Sequence, residues 1–202
     1  MPTNTTLDFL RHGEPVGGKR YRGQTDDPLS QKGWAQMCAA TAGERPWMAI
    51  VTSPLTRCHA FAEWLAGVAD IPLSVDERLA EVGFGVWEGR TAEEINQGAP
   101  DRVFDFKCDP LARRPEGAEP LEAFSARVVA AYEEILKRHK GEHVLVVAHA
   151  GVIRMAISHA LGLPPERAYR INVGSAGLAR VRVEHRGGKR FDSLLWLSKG
   201  GG

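Results

Sequence analysis

The sequence predicts an α/β fold: a three-layer α/β/α sandwich around a mostly parallel sheet with an antiparallel edge strand. Three observations lead there. Short apolar runs alternate with helix-like segments along the chain. The run HVLVVA, residues 143–148, is β-branched and apolar on both faces, as a central strand covered on each side must be. The tail changes pattern: Ala179, Val181 and Val183 alternate with Arg180, Arg182 and Glu184, the period of a strand with one solvated face.

The elements follow in order. Strands are expected over 6–10, 48–52, 73–75, 143–148, 177–184 and 191–197. Ser30 can cap a helix carrying Trp34, Met37, Cys38 and Thr41 on one face. Gly33 weakens that helix by about 1 kcal/mol relative to alanine. Ser53-Pro54 reads as a cap followed by proline at the first helical position, with Leu55, Cys58, Phe61, Ala62 and Leu65 behind it. Glycines 83, 85 and 89 make 76–91 a loop, with Trp87 as a wall for a pocket. The clearest stripe is Leu121, Phe124, Val128, Tyr132, Ile135 and Leu136, ended by Gly141. A last helix starts after His149 and carries Ile153, Ala156, Ile157, Ala160 and Leu161. Gly187-Gly188 turns the tail back as a hairpin. Residues 16–24 and 98–120 read as poorly patterned loops.

Length and charge narrow the function classes. The 202 residues suit one domain, 1–198, with 199–202 a frayed tail. A net charge of +1 argues against nucleic-acid and membrane partners. The basic stretch RVRVEHRGGKR invites a nucleic-acid reading, but alternating charge there fits the solvated face of an edge strand. Cys38, Cys58 and Cys108 are few, odd in number and widely spaced, so neither a disulfide framework nor a zinc knuckle is expected. His139 and His143 have metal-like spacing, but Gly141 between them favours a turn. With no signal-peptide pattern and no apolar run of spanning length, the expected location is cytoplasmic. The oligomeric state is left open, and a homo-oligomer is compatible with the sequence.

The chemistry converges on strand ends. In an open parallel sheet, ligands bind beyond the carboxyl ends of the strands. One predicted strand ends at Arg11-His12, another at Thr52-Ser53 with Arg57 shortly behind, and a third at His149 with a helix directly after. Two arginines offer forked donors for phosphate oxygens. Helix N-termini near Pro54 and Ala150 add unpaired N–H groups. Two imidazoles can donate, accept or attack, which makes a compact pocket for a phosphoryl group with a candidate nucleophile inside it. A proton donor for a leaving oxygen is also needed. Glu77, Glu81 and Glu88 are the candidates; Glu81 is the first choice, and spacing alone does not separate it from Glu88. Arg11 alone could equally be an ion-pair partner of Glu14.

These residues resemble a known family. LRHGE with the spaced G-x-x-D-x-P-L-S-x-x-G of residues 23–33, then VTSPLTRCHAFAEWL, LAEVGFGVWEG and VLVVAHAGVIR, resemble in order four signatures of the histidine phosphatase superfamily. This is the branch containing the cofactor-dependent phosphoglycerate mutases. The resemblance implies that His12 becomes phosphohistidine, that Arg11, Arg57 and His149 bind the phosphoryl group, and that Glu81 protonates the leaving group. It requires no metal or other cofactor. Gly13 would let the chain turn close to the phosphoryl group, Ala150 stands where glycine is common, and Glu14 would orient Arg11 or its loop. Gly17-Gly18 replace a common Trp-Asn, so Gln24 or backbone N–H groups of the 17–23 loop are candidates for the missing amide contact. The degraded segment RPEGAEPL puts contacts from that loop in doubt. Within the family, RYRGQTDDPLSQKG and the short chain most resemble α-ribazole-phosphate phosphatases of cobalamin synthesis. The expectation is therefore hydrolysis of a small phosphorylated metabolite. Mutase-type transfer and a non-catalytic phosphate-binding module are the alternatives.

Overall fold

A computed structural model describes residues 3–200. The sheet consists of β1 (Thr3–Arg11), β2 (Ala49–Thr52), β3 (Leu73–Val75), β4 (His143–Ala148), β5 (Leu178–Arg186) and β6 (Lys189–Leu197), in the order β3-β2-β4-β1-β5-β6. The first four are parallel; β5 pairs antiparallel with β1, and β6 with β5. The expected sandwich, the central place of 143–148 and the antiparallel hairpin at the far edge are all present.

Alternation along the strands splits the core in two. Leu7, Phe9, Val144, Val146, Val181 and Val183 face α5 (Leu121–Arg138) and α6 (Ala150–Ala160), both rich in buried apolar residues. Leu10, Ile50, Leu145 and Val147 face α1 (Gln31–Ala40) and α2 (Thr56–Ala69). Most of these side chains are fully buried, and each contributes about 1.5–3 kcal/mol by leaving water.

Four local readings change. The second helix begins at Thr56, not at Pro54, because the Ser53 hydroxyl accepts the Leu55 N–H at 3.3 Å and is bonded into the interior. Asp26 caps the helix instead, with Oδ1 taking the Thr56 N–H and Oδ2 its hydroxyl, each at 2.7 Å. A short helix α3 (Ala92–Asn96) stands on a Thr91–Glu94 capping box. Another, α4 (Arg102–Cys108), lies in the expected 98–120 loop; its buried Val103 and Phe106 are one turn apart, and exposed Phe104 between them hides the stripe. Trp87 is a core residue at 4% exposure, not a pocket wall.

Of the expected 199–202 tail, Lys199 and Gly200 lie against the backbone of residues 174–177, and 201–202 fall outside the described residues. Among the described residues, no helix is long and apolar enough to cross a membrane.

Register positions the site. Arg11 lies opposite Ala148, and Thr52 opposite Val147. The next residues, His12, Ser53 and His149, therefore emerge at nearly one level on one edge.

Candidate active site

His12 is 6% exposed, with its backbone N–H on the Ala148 carbonyl at 3.0 Å. Its Nδ1 lies 2.7 Å from the Gly13 carbonyl oxygen. A carbonyl only accepts, so Nδ1 carries the proton and Nε2 keeps its lone pair. Burial holds this imidazole well below its ordinary pKa, and the charges of Arg11 and Arg57 push it further down. His12 is thus neutral at pH 7, with a basic nitrogen to present.

His149 is fully buried, and its ring stands 5.2 Å from that of His12, centroid to centroid. Burial, then Arg57 and His12, hold it well below the ordinary value too. Its Nε2 lies 2.6 Å from Ser53 Oγ and 3.6 Å from Cys58 Sγ. The buried Cys58 thiol is itself pushed up by burial and bonds the Ala148 carbonyl, so it is no thiolate nucleophile.

Arg57, on the first turn of α2, is 1% exposed and donates to the carbonyls of Thr25 and Gly23 at 2.7 and 2.8 Å. Arg11 donates to the Val173 carbonyl at 2.7 Å. Burial, with Arg154 next, lowers Arg11 to about 10, so it remains a cation at pH 7. The Nε atoms of both are buried with no hydrogen-bond partner. Arg11 is not paired with Glu14, whose carboxylate meets Lys32 at 3.4 Å and whose backbone carbonyl takes the Ser30 N–H and hydroxyl. Glu14 thus ties its loop to α1, and the expectation that it orients Arg11 is corrected.

The structure separates the two acids. Glu88 Oε1 accepts the N–H groups of Gln24 and Phe84, and Oε2 the Thr25 hydroxyl, so it braces the 23–25 loop. Glu81 is 9% exposed; Oε1 accepts the N–H of Val82 and Oε2 that of Gly151 in the first turn of α6, beside His149. A Cβ at Gly151 would collide with Oε1, so glycine there makes room for this carboxylate. Among the residues expected at the site, Gln24 is exposed, with its amide nitrogen 3.5 Å from the Glu81 carbonyl. Ala150 opens α6 at the same edge, 8% exposed.

Gly13 also has a packing reason. A Cβ there would strike the Gly33 carbonyl, and a Cβ on Gly33 would strike that of Glu14. The pair lets the loop after His12 and the first turn of α1 meet backbone to backbone. Sequence reasoning missed Arg22, 6% exposed, held by Asp27 at 2.8 Å, whose charge also bears on His12. It also took Ser53 for a helix cap and passed over Gly151. No single-sequence spacing marks any of the three. Among the described residues, no group of three or more His, Cys, Asp and Glu is placed to hold a metal ion.

The profile of the Histidine phosphatase superfamily (branch 1) matches residues 7–194. The chain belongs to that superfamily. The resemblance of its four motifs is confirmed over nearly the whole length. Among relatives, the Bifunctional protein Rv2228c of Mycobacterium tuberculosis is 32% identical over 182 residues, covering 88% of this chain and 50% of the relative. The chain therefore spans about half the length of the first curated relatives it matches. A solved structure of mycobacterial glucosyl-3-phosphoglycerate phosphatase Rv2419c complexed with VO3 superposes with a TM-score of 0.84 at 28% identity, over 95% of this chain and 97% of the other. A putative alpha-ribazole-5'-P phosphatase from Escherichia coli superposes at 0.77 and 25% identity, over 98% of both chains. Phosphatases and mutase-like proteins both stand among the superfamily relatives.

Proposed function

We propose that the protein is a phosphatase hydrolysing a small phosphate monoester through a phosphohistidine on His12. One observation carries the reading: Nδ1–H of a buried, neutral His12 is tied to the Gly13 carbonyl, which leaves Nε2 as a fixed nucleophile among buried guanidinium groups.

In the first displacement the Nε2 lone pair forms the N–P bond as the P–O bond to the alcohol breaks. Glu81 in its acid form gives its proton to the leaving oxygen. In the second, Glu81 takes a proton from water, the water oxygen bonds phosphorus, and the N–P electrons return to Nε2. Arg11, Arg57 and His149 hold the phosphoryl oxygens, helped by the Ala150 N–H at the start of α6 and the Gln24 amide. Little covalent work falls to the protein beyond His12; positioning and charge do most of it.

Among monoesters, α-ribazole phosphate is the substrate put first. The motif resemblance and the alpha-ribazole-type neighbour support it. The glucosyl-3-phosphoglycerate phosphatase neighbour argues for a screen that includes sugar and glycerate phosphates. A mutase would return isomerised 3-phosphoglycerate, whereas a phosphatase releases free phosphate.

Incubation with a turned-over monoester should give an acid-labile phosphohistidine. His12→Ala should abolish labelling and lower turnover by on the order of 10⁴-fold or more. Turnover persisting in that variant removes the nucleophile assignment.

A further inference from the structure

We infer that Ser53 is a positioning residue that fixes the tautomer of His149, making its Nδ1–H the donor turned to the phosphoryl group. This rests on the phosphatase reading above and adds a residue with no role in it so far.

The argument is a count of donors and acceptors. Ser53 and His149 are both fully buried, so neither can settle its hydrogen bonding with bulk water. The Ser53 oxygen already accepts the Leu55 N–H at 3.3 Å. Its own proton needs an acceptor, and among the described residues the one within reach is His149 Nε2 at 2.6 Å. If Nε2 carried the proton instead, Ser53 Oγ would accept twice and its hydroxyl proton would be stranded in the interior. An unpaired buried donor of that kind disfavours the arrangement by about tenfold to a hundredfold. Nε2 is therefore the bare nitrogen of the neutral ring, and Nδ1 holds the proton.

That proton has no strong protein acceptor. The hydrogen-bonding contact of Nδ1 is with Cys58 Sγ at 3.8 Å, and the thiol bonds the Ala148 carbonyl at 3.3 Å. Nδ1–H is free to meet an anionic oxygen. The two rings, 5.2 Å apart, are thus set in opposite senses. A carbonyl acceptor at Nδ1 makes His12 present a lone pair, while a hydroxyl donor at Nε2 makes His149 present a proton.

The test pairs a spectroscopic readout with kinetics. Ring-nitrogen NMR of isotopically labelled histidine in the full-length chain near neutral pH should show His149 protonated at Nδ1 and bare at Nε2. The signal is assigned by its loss in His149→Asn. In Ser53→Ala the same ring should shift to a mixture with Nε2–H, and turnover should fall about tenfold to a hundredfold, mostly in kcat. Ser53→Thr, which keeps the hydroxyl, should restore most of it. An Nε2–H tautomer in the wild type overturns the proposal, and so does an unchanged kcat in Ser53→Ala or a Ser53→Thr variant as impaired as Ser53→Ala. If Ser53→Ala does not fold, the wild-type tautomer still decides. If no monoester is turned over, the phosphatase reading fails while the NMR result still judges the Ser53 assignment.

Discussion

Arg57 and Arg180 are each held by two hydrogen bonds, yet to different ends. Arg57 spends its donors on the carbonyls of Thr25 and Gly23. Arg180 lays its fork on both oxygens of Asp8 at 2.7 and 2.9 Å. Carbonyls fix the direction of a guanidinium group and leave its charge; a carboxylate cancels it. The pattern extends to whole regions. At the carboxyl edge of the sheet, Arg11, Arg57 and Arg154 form no ion pair among the described residues; Arg22, held by Asp27, is the exception. Along the hairpin, Arg180, Arg186 and Arg190 meet Asp8, Glu184, and Asp192 with Glu133. The shifts follow suit: burial lowers Arg11 to about 10, whereas the Asp8 hydrogen bond raises Arg180. Uncompensated positive charge gathers at the edge that carries His12 and His149, whereas Arg180, Arg186 and Arg190 of the basic tail are each paired with a carboxylate.

The contrast can be broken most directly at Arg57. Arg57→Ala should lower kcat/KM by about 10²–10³-fold and weaken vanadate binding, measured by inhibition. A loss of less than about fivefold would mean that this uncompensated charge is not the one the substrate meets.

Next in size is a pH effect confined to the edge with the histidines. His12 and His149 have folded pKa values well below 6.5. Below about 6.5 the unfolded chain takes up protons that the folded one refuses, so stability falls as pH drops through that range. Denaturant titrations between about pH 7 and pH 5.5 should show a slope approaching two protons, shallower in His12→Ala. A flat profile would mean that these rings titrate normally in the fold.

The smallest effect is expected at the hairpin. Arg180→Ala should leave kcat/KM unchanged but cost about 1–3 kcal/mol of stability, because buried Asp8 loses a charged partner. Thermal unfolding and turnover on the same sample would check both halves. Lost activity with an intact fold would erase the distinction between the two regions.

Much of the scaffold could be read from the chain because the strands alternate cleanly. The two-faced apolar run at 143–148 and the striped α5 are both where the pattern puts them. α4 escaped because two buried residues on seven are too few to set a period. At the site, residues that follow a strand end were legible: His12 and His149 emerge where the sheet register dictates. Residues whose importance comes from a distant partner were not. Arg22 matters because its charge bears on His12, Gly151 because Glu81 needs its space, and Glu88 differs from Glu81 only in what each carboxylate braces. Those are facts of three-dimensional adjacency that one sequence does not encode at any fixed spacing.

The backbone contact between Gly13 and Gly33 turns a routine improvement into a hazard. Exchanging a helical glycine for alanine commonly firms up a protein by roughly 0.4–1 kcal/mol, and Gly33, in the first turn of α1, is where an engineer seeking heat tolerance would try it. Here the added methyl would be driven into the Glu14 carbonyl, prying loose the loop whose neighbouring carbonyl anchors the His12 imidazole. Selection for heat tolerance would discard such clones, because a side chain forced against backbone destabilises by more than the helix gains.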